Sequence, residues 1–172
     1  MDTAENQNTE PQRKLVDAIK CQNNECPPIW IMRQAGRYHH HYQNIRKKHS
    51  FLEICKTPEI AAEVARGPVD DFDFDAAILF SDILFPIEAM GVDLKFDPGP
   101  VFSKYLLTRE DLKSFKIPQY VEDFFSFQKD ALDKTRQVIG DEKSLITFVG
   151  GPFTLYYFAA AGRKKEYEQS VI

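Results

Sequence analysis

Three short apolar runs alternate with helix-forming stretches, and each is followed at once by polar or glycine-rich residues. These are Ile29–Met32 before Arg33–Arg37, Asp75–Phe80 before Ser81-Asp82, and Ser144–Val149 before Gly150-Gly151. Strands separated by helices predict βα units and an α/β fold with a parallel sheet. In parallel α/β folds ligands gather at the C-terminal ends of the strands, so the three polar segments are expected to face one cleft.

Between the runs, Arg13 to Lys20 reads as a short amphipathic helix with Leu15, Ala18 and Ile19 on one face. A polar helix is predicted from about Tyr38 to Lys48. Thr57-Pro58-Glu59 supplies an N-cap, a first-turn proline and a first-turn acid for a helix running to about Phe72, with a kink or early end at Pro68. Ile83 to Met90 reads as a short helix, Val92 to Phe96 as extended, and Asp97-Pro98-Gly99-Pro100 as a turn. Thr108 opens another short helix. Tyr120 to Ile139 reads as one long amphipathic helix, and Phe153 to Ala161 as a last one. Met1 to Glu10 is polar and predicted disordered. This gives a tail over residues 1–10 and one domain over 11–172.

The chain has 172 residues, a net charge of −4 and 22 aromatics among 43% apolar residues. That charge carries no polyanion footprint, which argues against a nucleic-acid partner. No apolar stretch is long enough to cross a bilayer, and the polar start lacks a hydrophobic signal segment, so a cytoplasmic location is expected by default. Cys21, Cys26 and Cys55 form an odd set and are expected to be free thiols.

Chemistry concentrates in Met32-Arg33-Gln34-Ala35-Gly36-Arg37-Tyr38. Two permanent cations beside a glycine, just past a strand end, suit a receptor for several carboxylates or phosphates, because each planar guanidinium donates bidentate hydrogen bonds. A salt-bridged surface loop is the competing reading. Asp82, at the mouth of the second run, is placed to accept N–H donors or to stabilise a cation. As an alternative, it or Ser81 could cap the helix that follows. His39-His40-His41 lacks zinc-ligand spacing and is read as polar surface.

These residues resemble a known family. Pro28 to Tyr38 resembles the N-terminal signature of the uroporphyrinogen decarboxylases, and Phe74 to Leu84 their second signature. Phe148-Val149-Gly150-Gly151-Pro152-Phe153-Thr154-Leu155 is similar to a third block. The likeness runs from about Leu15 onward. It implies a (β/α)8 barrel, a homodimer, and cofactor-free removal of four acetate carboxyl groups from uroporphyrinogen III to give coproporphyrinogen III, with no metal. On matching positions, Arg33, Arg37 and Arg46 would bind substrate carboxylates, with Gln34, Ala35 and Gly36 shaping the loop against the substrate. Asp82 would accept the pyrrole N–H groups. Catalysis would fall to Asp82 and Arg37. A guanidinium is a reluctant acid, so carboxylate binding ranks ahead of proton donation for Arg37.

The third block departs from the family pattern, with Phe158 where a substrate-contacting tyrosine is expected and Tyr157 just before it. A (β/α)8 barrel needs about 250 residues, so the sequence reads as an incomplete N-terminal portion with three to four βα units. Little activity is expected of the isolated chain. The alternatives are a barrel relative of the corrinoid methyltransferase type and a non-catalytic tetrapyrrole-binding fragment.

Overall fold

The structure is a computed structural model describing residues 13–22 and 26–161. Helices α1 (Lys14–Ile19), α2 (His40–Arg46), α3 (Phe51–Lys56) and α4 (Pro58–Phe72) lead to strand β1 (Ala76–Ile78). Helix α5 (Phe85–Ala89), strands β2 (Leu94–Phe96) and β3 (Pro100–Phe102), and helices α6 (Val121–Phe124) and α7 (Ser126–Ile139) follow. Strand β4 (Ser144–Ile146) and helix α8 (Pro152–Ala161) complete the order.

Strands β1 and β4 pair in parallel, with Ala76 opposite Ser144 and Ile78 opposite Ile146. Ala76 and Ala77 are fully buried, as strands covered on both faces require. Helices α4 and α7 pack on this pair. Ala61 of α4 and Ala131 of α7 meet Leu79 just beyond β1, and small residues there let the two helices approach closely. Strands β2 and β3 form an antiparallel hairpin whose turn is the expected Asp97 to Pro100 segment. The hairpin packs on α3 through Phe51 and Phe96, whose rings lie 4.6 Å apart.

The main core gathers Cys55, Leu84, Phe85, Val92, Leu94, Phe102 and Ala159. Phe85 meets Phe127 edge-to-face at 5.2 Å, and the Lys56 ammonium sits 5.6 Å from the Phe85 ring centre while pairing with Glu88 at 2.7 Å. This one aromatic core ties α3, α5, the hairpin, α7 and α8 together.

The structure departs from the sequence expectations in five places. Ile29–Met32 is not a buried strand: Ile29, Ile31 and Met32 are each more than half exposed. Asp75 N–H does donate to Ile29 O, but Ile29 N–H goes to the Asp75 carboxylate and Ile31 N–H to the Gln34 side chain. Side chains have taken the groups that a β-ladder would use. Pro68 does not end α4, which continues to Phe72 with Val64, Ala65, Gly67 and Val69 all buried; packing holds the helix past the missing N–H. Helix α3, absent from the sequence reading, is started by a capping box between Ser50 and Glu53.

The expected long helix from Tyr120 breaks at Phe125 (φ −92°, ψ 9°) into α6 and α7. Phe124, Phe125 and Phe127 all pack on the same core across this break. Finally, His39 is 5% exposed rather than surface, with its Nε2 2.6 Å from Asp71 Oδ2. The tail over residues 1–10 lies outside the described residues. Cys21 and Cys26 are exposed and unbridged, and Cys55 is buried.

Candidate active site

The segment after Ile31 turns sharply. Arg33 adopts a left-handed φ of 63°, and Gln34 N–H donates to Ile31 O at 3.0 Å. The turn is fastened to the sheet by Gln34, whose side chain is 1% exposed and donates from Nε2 to Ala76 O at 2.9 Å. Tyr38 Oη–H donates to Gln34 O at 2.6 Å. Gly36 has no room for a side chain, since a Cβ there would lie 2.9 Å from Arg33 O. Ala35 packs on the buried cluster of Tyr42, Ile45, Ile54 and Val64. Gln34, Ala35 and Gly36 therefore build the loop from behind. The sequence reading placed them against the substrate, but the cavity lining contains none of the three.

Arg33 and Arg37 both line an open cleft of about 970 Å³ together with Arg46, Lys47 and Asp82. Among the described residues, neither Arg33 nor Arg37 has a carboxylate within salt-bridge reach. Within those residues the salt-bridged-loop reading finds no acidic partner. Arg46 comes from α2, where Tyr42, Gln43, Arg46 and Lys47 recur at helical spacing and turn one face to the cleft. Its guanidinium donates to His49 O. The opposite wall is Phe51 and the hairpin tip from Phe96 to Pro100, which brings Asp97 to the rim.

Asp82 follows β1, where the chain leaves regular structure. It is not the cap of α5, because the N-cap position is Leu84. Instead its Oδ1 accepts Leu84 N–H at 2.8 Å, closing a tight turn two residues long. Burial pushes the Asp82 carboxyl above the usual range, only partly opposed by that hydrogen bond. Beneath it, burial and the nearby Asp82 charge push the Cys55 thiol up as well, so Cys55 stays a neutral core group. Burial also raises the Tyr42 hydroxyl, with Arg46 and Arg37 acting against it.

The sequence reading thus named Arg33, Arg37, Arg46 and Asp82, and the structure brings all four to one cavity. It missed Tyr42, Gln43, Lys47, Phe51 and the hairpin tip. The i, i+4 spacing of Gln43 and Lys47 alongside Tyr42 and Arg46 was the available signal. Phe158 packs into the core while Tyr157 is 42% exposed. Among the described residues no group of three or more His, Cys, Asp or Glu side chains is arranged to hold a metal ion.

Comparison with known proteins gives a consistent result. A family model described as uroporphyrinogen decarboxylase (URO-D) matches residues 10–171. The chain is 46% identical over 150 residues to a uroporphyrinogen decarboxylase of Citrifermentans bemidjiense, covering 87% of this chain and 44% of that protein. It is 48% identical over 136 residues to one of Pelobacter propionicus, covering 79% and 40%. The chain thus spans less than half the length of these curated relatives. Among solved structures, a methyltransferase from Methanosarcina mazei superposes with a TM-score of 0.69 at 17% identity, over 91% of this chain and 46% of that one. At that identity the match speaks for the fold alone. With the family match, it makes the architecture a partial unit of the TIM-barrel class.

Proposed function

Because the chain belongs to the uroporphyrinogen decarboxylase family, we propose that the cleft between α2, the hairpin and Asp82 receives uroporphyrinogen III. The reaction is decarboxylation of its four acetate side chains to coproporphyrinogen III. The observation that carries this reading is the coexistence, in one cleft, of two arginines without acidic partners among the described residues and a half-buried aspartate whose carboxyl burial pushes upward.

The substrate carries eight carboxylates around a ring whose centre presents four pyrrole N–H groups. Arg33, Arg37 and Arg46 take carboxylates as charge-assisted, bidentate hydrogen bonds. Asp82, half-buried and holding one hydrogen bond from Leu84 N–H, gains from further N–H donors. Protonation of a pyrrole carbon next to an acetate arm makes a delocalised cation, which accepts the electron pair when the carbon–carboxyl bond breaks and CO2 leaves. A fixed carboxylate at the ring centre stabilises that cation as it forms, at little reorganisation cost. The ring itself is the electron sink, so the scheme calls on no cofactor. Arg37 serves first as a carboxylate anchor close to the reacting arm.

The family reading also carries a homodimer and a cytoplasmic setting; light scattering on the purified protein tests the first. The primary test is anaerobic calorimetry with uroporphyrinogen III, followed by chromatography of the oxidised products. Tight binding is expected, weakened about tenfold or more by Arg33→Gln, the scale of a lost charged hydrogen bond. Coproporphyrinogen III, with half the carboxylates, should bind more weakly. Absence of binding, or indifference to Arg33→Gln, would sink the proposal.

A further inference from the structure

Helix α7 reaches the turn that carries Asp82. Gln128 Nε2–H donates to Ser81 Oγ at 2.6 Å, joining side chains 47 positions apart. This contact follows from how α7 packs. Gln128 lies one helical turn before Ala131, which is buried against Leu79 and Ala61, so the face that seals the strand end also presents Gln128 to Ser81. The turn is then pinned at three successive points. Leu79 N–H donates to Ile146 O at 3.0 Å, Ser81 Oγ accepts from Gln128, and Asp82 Oδ1 accepts Leu84 N–H.

A second cavity, of about 260 Å³, lies on this side of Asp82. Asp82 and Gln128 line it with Ile83, Pro86, Phe125 and Phe148. Asp82 therefore borders both cavities, with cations along the first and mainly apolar groups along the second. Gln128 is the polar side chain that α7 contributes to the second wall.

We infer that Gln128 is a positioning residue for Asp82: by holding Ser81 from α7 it fixes the direction of the carboxylate toward the tetrapyrrole centre. This rests on the reading of Asp82 as the acceptor of pyrrole N–H groups. Several N–H donors converge on one carboxylate only if it is already oriented, because a carboxylate that must first be ordered gives up part of the binding energy. Without the tether, the 79–84 turn keeps only the Leu79–Ile146 and Asp82–Leu84 hydrogen bonds, and Asp82, which already borders the second cavity, becomes more open to water from it.

Two near-isosteric variants separate this role from simple packing. Gln128→Met keeps the volume but removes the hydrogen bond. Gln128→Glu can still accept from the Ser81 hydroxyl, so the tether persists, but it places a second negative charge beside Asp82. The charged and titratable groups around Asp82 are Arg33, Arg37, Tyr42, Arg46, Lys47 and Asp97 along the first cavity and Cys55 beneath; both variants leave them in place.

The experiment is a carbon-13 NMR titration of the Asp82 carboxyl in the purified protein, assigned with Asp82→Asn, alongside anaerobic calorimetry with uroporphyrinogen III. Circular dichroism verifies that each variant folds. Gln128→Met is expected to lower the Asp82 midpoint, as solvent reaches it, and to weaken uroporphyrinogen binding roughly three- to tenfold, the scale of one hydrogen bond. Gln128→Glu is expected to raise the midpoint through like-charge repulsion. Midpoints unchanged in both folded variants would overturn the inference. So would wild-type affinity in Gln128→Met, while leaving the proposed function standing. Failure of the wild-type protein to bind uroporphyrinogen would instead remove the proposed function, and the inference with it.

Discussion

Replacing Gln34 by alanine decides whether this residue touches the substrate or builds the loop. The side chain is 1% exposed, donates to Ala76 O at 2.9 Å, and accepts a longer bond from Ile31 N–H at 3.4 Å. Truncation removes one good hydrogen bond, worth about 1 kcal/mol net, and strands the Ala76 carbonyl in a buried site, with a desolvation cost of about 1–3 kcal/mol. These two figures overlap, and the space left by the lost methylene and amide adds to them. A total destabilisation of about 2–3 kcal/mol is expected. For a chain of this size that is roughly 4–12 °C in Tm, taking about 2–4 °C per kcal/mol. The assay is urea denaturation at neutral pH with a shared m-value, checked by thermal melting. Binding of uroporphyrinogen should weaken in parallel, because the loop carrying Arg33 and Arg37 loses its tie to β1. A loss of affinity with less than about 0.5 kcal/mol of destabilisation, the usual size of a surface substitution, would refute the reasoning and return Gln34 to the substrate surface.

Asp82→Asn should abolish uroporphyrinogen binding yet raise Tm at neutral pH. The folded-state pKa of Asp82 is raised by burial, so ionisation costs folding energy above that pKa, and the cost fades as pH falls through it toward the unfolded value. The variant's advantage in Tm should therefore shrink from pH 7.5 to pH 4; an advantage that grows on acidification would contradict the assignment. Gly36→Ala pushes a methyl to 2.9 Å from Arg33 O and should cost about 1–3 kcal/mol as an overpacking change, read by the same denaturation assay. Ser50→Ala removes the capping box of α3, in which Ser50 Oγ accepts Glu53 N–H at 3.1 Å. It should cost about 1 kcal/mol, with amide hydrogen exchange accelerated in α3 first.

The elements legible in the sequence were those whose local signals and burial agree. Residues 75–80 are apolar and sit between helices, and β1 forms there with Ala76 and Ala77 sealed on both faces. Asp97-Pro98-Gly99-Pro100 is turn chemistry, and the hairpin turns there. Ile29–Met32 has the same apolar look, but its amides are claimed by Asp75 and Gln34, two side chains whose positions depend on the folded sheet. No local pattern encodes that competition. Helix α3 is announced by Ser50-x-x-Glu53, although six residues are too few to show an apolar stripe. The site was legible where it is written in charge. Arg33, Arg37, Arg46 and Asp82 were identifiable as types, whereas the Gln128–Ser81 contact joins distant segments and depends on how α7 lies against β1.

The arrangement of charge in the cleft places a strong condition on its ligand. Asp82 and three arginines line one cavity, yet among the described residues none of the arginines forms a salt bridge with Asp82, whose carboxyl burial pushes upward. Opposite charges at direct contact would have paired and lowered that pKa. The arginines are exposed and hydrated, whereas Asp82 is half-buried and carries a cost of burial that further hydrogen-bond donors would offset. A small dianion would serve the arginines and repel Asp82. A simple cation would do the reverse. Both demands are met by a ligand that is acidic at its edge and rich in N–H donors at its centre. A reduced tetrapyrrole with carboxylate arms has that distribution, and in the proposed reaction its ring gains positive charge only on the way to losing CO2.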